Sequence, residues 1–371
     1  MHAPEGTERL EDDAADGTQG GGAQSALWPV PPRAQRHRYL EVVKREDVEA
    51  AAIRLGRPLS DRDHRTAAMA IIEHLRKVGG WRELPQVPAD WRIRLDLLEQ
   101  AYPNFRDYIA FLRTTYAIAE REGKSPHPEP VFLLGEPGIG KSLIMQDVAR
   151  LLLSGTLSPS SSSSFTAPLT LRMEVAQASG DLVGVSDFWG NSKPGLLFER
   201  LIMGPYASPI VVLEELSRCA GSREYEPISP LYSLLDPESA RMFSDLAHPW
   251  LIMDASAVIF IACGNDDTLP AAIRSRMKVI EVPNPTREQC RTIARELWRR
   301  LCRELPQATA SLVLTDDALD VLSTAAPRVM RKALREAVGR VVYECRTQIG
   351  ADDIRACGLE ALSTSRRIGF V

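Results

Sequence analysis

The sequence predicts an α/β protein: a three-layer core on a parallel sheet, with a helical module ahead of it and a small helical domain behind. Three observations carry this. VFLLGEPGIGKS, from Val131 to Ser142, is an apolar tetrad, then a glycine turn, then the start of a helix-forming run. Two more apolar runs, Ile210 to Leu213 and AVIFIA from Ala257, read as strands buried on both faces. Upstream and downstream of these, apolar residues recur three and four apart, the period of an amphipathic helix.

A chain of 371 residues has room for two or three domains and a sizeable core. Its 45 basic and 49 acidic side chains leave a net charge of -4, which gives no general argument for a nucleic-acid partner. The six cysteines, at 219, 263, 290, 302, 345 and 357, form no C-x-x-C pair, so buried thiols in a reducing compartment are expected rather than disulfides or a zinc site. No run reaches the length of a membrane helix, and the N-terminus lacks the basic-then-apolar form of a signal peptide. A cytoplasmic protein without a membrane partner is the expectation.

In chain order, residues 1–37 are rich in Gly, Ala, Pro and Asp and should be a disordered leader. Residues 38–99 form the helical N-terminal module. In it YLEVVKREDVEAAAIRLG and DRDHRTAAMAIIEHLRKVGG have helical period, with Ser60 as N-cap and Gly79-Gly80 as the stop. His64 and His74 there suit surface or packing roles. Residues 100–284 form the α/β nucleotide-binding domain. Its opening helices break at Tyr102-Pro103, where Tyr102 and Phe105 are either adenine contacts or core. LTLRMEVA is the second strand. The loop that follows holds Phe188 and Trp189 among Asp, Gly, Asn and Ser, either folded onto the core or forming a surface that grips something. Residues 285–371 form the helical lid, in which Pro327 suits the first position of a helix and places Arg328 in its first turn.

The chemistry rests on two landmarks. Gly135, Gly138 and Gly140 allow a tight turn with N–H groups pointing inward, and Lys141 and Ser142 begin a helix whose first N–H groups lack partners. An anion there meets backbone donors, the helix dipole and an ammonium, and the residues fit G-x-x-x-x-G-K-[ST], with Ser142 placed for magnesium. Gly135, Glu136, Pro137, Gly138, Ile139, Gly140, Lys141, Ser142 and Leu143 are thus the expected nucleotide contacts. The second landmark is the strand end Glu214-Glu215, where open α/β sheets bind ligands. One carboxylate suits the magnesium shell and the other the attacking water. Asn265 ends a further strand. Arg274 and Arg276 follow it, either as surface ion-pair partners or reaching a phosphate in the same or a neighbouring subunit.

This order of parts resembles the AAA+ ATPases. From Pro209 to Val282, including SPLYSLLDPESARMFSDLAHPW and VIFIACGNDD, the wording is similar to the ATPase module of Lon-type proteases. The resemblance implies ATP and Mg2+ as ligands, Gly135 to Ser142 as Walker A, and Glu214-Glu215 as Walker B. It implies Asn265 as sensor 1, Arg276 rather than Arg274 as the arginine finger, Arg328 as sensor 2, and Phe188-Trp189 as a pore loop that grips polypeptide. It further implies a homo-oligomer, a hexameric ring, acting on a protein substrate. Three departures stand out: Glu214 replaces the family's aspartate, Ala326-Pro327 replaces Gly-Val, and the chain ends at Val371 just past the lid, so no peptidase activity is expected. The leading expectation is an ATPase that remodels or unfolds proteins. A nucleotide-dependent scaffold with little hydrolysis is the alternative that Glu214 favours. A DNA-associated AAA+ ATPase would need a basic surface that the net charge does not supply.

Overall fold

The computed structural model describes residues 28–56, 62–153, 167–175, 178–186, 192–219 and 227–359. Residues 28–37, expected in the disordered leader, are already part of the fold. Arg33–Arg38 is a 3-10 helix, and Trp28 packs on the core with its ring against Gly80. One half-buried indole anchors a segment otherwise poor in apolar residues.

The first expected helix begins late. Tyr39–Glu41 is strand β1, paired antiparallel with β2 (Trp81–Glu83), and helix α1 spans Arg45–Gly56. The N–H groups of Val42 and Val43 both reach the Gly80 carbonyl, a non-local partner that overrides the helical period of YLEVV. Helix α2 (Arg62–Val78) stops at Gly79, whose φ of +75° is a left-handed exit. Ser60 lies outside the described residues.

Helices α3 (Trp91–Ala101) and α4 (Arg106–Glu122) lead to strand β3 (Val131–Leu134) and helix α5 (Lys141–Leu153). Strands β4 (Leu169–Arg172), β5 (Ile210–Glu214), β6 (Ile259–Gly264) and β7 (Lys278–Glu281) complete a parallel sheet in the order β4-β5-β6-β3-β7. Alternation along β3 and β5 sorts the strands between two cores. Val131, Leu133, Ile210 and Val212 meet α3, α4 and α5, while Phe132, Val211 and Leu213 face the other way.

The residues expected as a separate module at 38–99 do not build a core of their own. Val48, Ile72 and Leu75 pack in the Phe132–Val211 core, whereas Trp91, Leu95 and Leu98 of α3 pack on the opposite face. Buried Arg82 ties the first part down through the C-terminal carbonyls of helix α6 (Leu196–Met203), at 3.0 Å to Leu201 and 2.6 Å to Ile202.

The lid has a third core, built from α7 (Arg287–Glu304), α8 (Asp316–Leu322) and α9 (Pro327–Tyr343). Thr286 and Gln289 cap α7 reciprocally. Pro327 is the first residue of α9, as its fixed φ suggests. Among the described residues, no helix is long and apolar enough to cross a membrane, and no cluster of His, Cys, Asp and Glu forms a ready metal cage.

Candidate nucleotide-binding site

Strand β3 delivers the chain into a turn where Gly138 and Gly140 adopt φ of +85° and +110°, conformations that only glycine takes without strain. The turn ends where α5 begins at Lys141, leaving first-turn N–H groups for an anion. A cavity of about 280 Å³ opens here. Pro137, Gly138, Gly140, Lys141, Ser142 and Leu143 form one wall, Glu215 and Asn265 a second, and Arg328 a third. Of the other expected contacts, Ile139 is buried in the core below, and Gly135 and Glu136 contribute carbonyls.

Lys141 is 7% exposed, and its ammonium donates to the carbonyls of Gly135 at 2.5 Å and Glu136 at 2.9 Å and to Asn265 Oδ1 at 3.0 Å. Burial holds this lysine below its usual range, opposed by the carboxylates of Glu215 and Glu136. The amide of Asn265 in turn donates to Glu215 Oε2 at 3.0 Å. A single asparagine therefore bridges the lysine and the acid that the sequence placed at one strand edge. Glu215 itself sits at φ +55°, uncommon for a non-glycine residue, and Arg218 Nε lies 3.3 Å from the same Oε2. The lid reaches the turn through the backbone: Arg328 N–H donates to the Gly138 carbonyl at 3.2 Å.

Three expected residues stand apart from the cavity. Glu214 is not in its lining; β4 and β5 pair Arg172 with Glu214, whose carboxylate is 3.9 Å from the Arg172 guanidinium. Tyr102 packs in the core instead. Its hydroxyl donates to Asp147 at 2.7 Å and its ring lies under Arg300 of the lid. Arg276 is exposed, donates to the Ala272 carbonyl at 2.6 Å, and has no carboxylate within 4 Å among the described residues. Arg274, by contrast, is paired with Asp267 at 2.9 Å.

Phe188 and Trp189 lie outside the described residues, but the base of their loop is described. Val185 and Lys193 exchange backbone hydrogen bonds there. Asp245, 1% exposed, seals it: Oδ2 accepts from Gly195 N–H and Oδ1 from Ala247 N–H, each at 2.9 Å. Gly184 approaches so closely that a Cβ would fall 2.5 Å from Oδ1. Burial pushes the Asp245 carboxyl up to about 6, against the lowering effect of the N–H groups of Gly195, Ala247 and His248. A carboxyl raised in the fold binds a proton that the unfolded chain does not, so the fold gains stability as pH falls from above 6 towards the ordinary 3.8. Asp245→Asn cannot titrate. The stability of the parent minus that of this variant should therefore rise between about pH 7.5 and about pH 4.5, by roughly 2 kcal/mol. Thermal or denaturant unfolding of both proteins measures it, and parallel pH profiles would refute it.

Gln146, Cys263, Pro327 and Arg331 also line the cavity and were not among the expected site residues. Local periods could have found three of them. Gln146 lies one helical turn beyond Ser142, Arg331 one turn beyond Arg328, and Cys263 stands two residues before Asn265, near the end of β6. Burial pushes the Cys263 thiol up to about 11, so it is a neutral wall of the site.

A sequence model for the ATPase family associated with various cellular activities (AAA) matches residues 131–284. Lon protease 2 of Syntrophobacter fumaroxidans is 29% identical over 243 residues, 65% of this chain and 27% of that protein. The Lon protease of Chloroflexus aurantiacus is 26% identical over 290 residues, 76% of this chain and 33% of that protein. The chain thus spans between a quarter and a third of the length of these relatives. A solved structure of a Thermotoga maritima RuvB mutant aligns at 14% identity over 69% of each chain with a TM-score of 0.44, too low to carry an argument.

Proposed function

From the premise that residues 131–284 are an AAA+ ATPase domain, distantly homologous to Lon-family ATPase modules, we propose that the chain binds and hydrolyses ATP with magnesium as a homo-oligomer, and that the cycle remodels or unfolds a protein. The observation that supports this most is the single cavity in which Lys141, Ser142, Glu215, Asn265 and Arg328 converge.

In this reading the Gly138–Gly140 turn and the first N–H groups of α5 cradle the phosphate chain, and Lys141 leaves the Gly135 and Glu136 carbonyls to meet it. Glu215 takes the proton of the attacking water, and Asn265 orients it while holding Lys141. Arg328 brings the lid onto the phosphates, and Arg276 serves the site of a neighbouring subunit in a ring, six-membered by the Lon resemblance. The Ser142 hydroxyl and the acids at the end of β5 are the hard oxygen donors that magnesium prefers; Ser142 would hold the ion directly and Glu214 through water, and the ion would neutralise charge on the phosphates. Phe188 and Trp189 grip the protein substrate.

Lys141→Ala tests the premise of the site. The variant should lose at least 100-fold in ATP affinity, since an ammonium and its charge-assisted hydrogen bonds leave a buried site. Calorimetric titration with and without magnesium measures it, and parent-like affinity would overturn the reading.

A second reading, a nucleotide-dependent scaffold that barely hydrolyses ATP, is favoured by one observation. Glu214 is longer than aspartate and stands beside Arg172. Tight ATP binding with turnover below about one per hour, and assembly driven by nucleotide alone, would select it.

A further inference from the structure

Helix α9 carries a second cation to the cavity. Arg331 is three residues beyond Arg328, on the same helical face, and lines the same walls. Its Nη2 lies 3.4 Å from Glu304 Oε1 at the end of α7, and the other Glu304 oxygen lies 3.5 Å from Arg335 Nη1. All three side chains are largely exposed, so each pair is a weak one. Arg331 and Glu304 also line a small pocket beside the main cavity, together with Leu143 from the start of α5.

We propose that Arg331 is a phosphate-binding residue of this site: it exchanges Glu304 for the phosphate chain of a nucleoside triphosphate, while Arg335 keeps Glu304. The proposal rests on reading the cavity as the nucleotide site. Three arguments carry it. The lining holds the cations Lys141, Arg328 and Arg331 against the single carboxylate of Glu215, a charge balance that suits a polyphosphate. A guanidinium meets phosphate oxygens in bidentate, charge-assisted geometry, which outweighs a long, solvated carboxylate pair. The exchange also strands no charge, because Glu304 retains a second arginine. The Arg328–Gly138 backbone hydrogen bond already holds the first turn of α9 against the phosphate loop, so Arg331 needs only a side-chain rotation to leave Glu304.

Glu304 is then a competitor for Arg331, and the two substitutions must act with opposite sign. Arg331→Gln should weaken MgATP binding about tenfold, whereas Glu304→Gln should strengthen it about two- to fivefold. The double variant should match Arg331→Gln alone, because without the arginine there is nothing to compete for. Arg331→Lys, which keeps the charge but not the bidentate fork, should lose less affinity than Arg331→Gln, and that graded loss shows that the effect of the glutamine variant is not a loss of fold. Titration calorimetry on the full chain with ATP reads all four. Unchanged affinity in Arg331→Gln overturns the proposal. So does weakening by Glu304→Gln, the sign expected if the pair only braces the lid. If Lys141→Ala weakens ATP and Arg331→Gln does not, this inference falls and the nucleotide site stands; if neither weakens it, the site itself falls.

Discussion

Replacing Glu215 by glutamine should leave ATP affinity within a few-fold of the parent and slow turnover by about 10³, within the range usual for losing a general base. The two side chains have the same shape. A glutamine amide keeps a carbonyl oxygen to accept the hydrogen bond that Asn265 now gives to Glu215 Oε2, so the bridge to Lys141 survives and binding with it. What disappears is basicity: an amide cannot take the proton of the attacking water. The Arg218 guanidinium, now 3.3 Å from the carboxylate, loses one of two partners and keeps Glu174 at 3.7 Å, and such a partly exposed pair is worth little to the fold. Steady-state phosphate release and equilibrium ATP binding on the same preparation separate the two effects. Parent-like turnover would remove Glu215 as the base, and a parallel loss of affinity would make it a binding residue.

The parts of this site that were legible in the sequence are those fixed by local geometry. Gly138 and Gly140 stand where the turn needs positive φ, four apolar residues precede it, and Pro327 marks the first residue of α9. The apolar runs of β5 and β6 carry no polar alternation because both sheet faces are covered. Partnerships made across the chain were not legible. Nothing near Glu214 announces Arg172, which becomes its neighbour only through the β4–β5 register. Tyr102 reads either as a base contact or as core, and it is Asp147 and Arg300 that claim its hydroxyl and its ring face. Trp28 stands in a segment whose composition suggests disorder, yet its ring packs on the core beside Gly80. Tyr39–Glu41 has helical period, yet a strand partner about forty residues away decides its state.

Arg276→Ala should lower turnover by about 10³-fold or more while ATP binding persists, the scale on which arginine fingers act in GTPases. The argument starts from where the residue is. Arg276 is no part of its own subunit's cavity, it is exposed, and it has no carboxylate within ion-pair distance among the described residues. Arg274, two residues earlier, is already occupied by Asp267, so Arg274→Ala is the matched control and should leave turnover within a few-fold of the parent. If Arg276 works across a subunit boundary, its loss must be repairable by a neighbour. Arg276→Ala subunits keep an intact Glu215 but present no finger; Glu215→Gln subunits keep the finger but lack the base. Mixed in one assembly, they form sites in which the base of the first faces the arginine of the second, and activity should return although each protein alone is nearly inactive. Phosphate release measured against the mixing ratio should pass through a maximum. A flat, inactive profile would mean that Arg276 acts within its own chain or only supports the turn that carries it, and the case for a ring would then lack a residue that needs one.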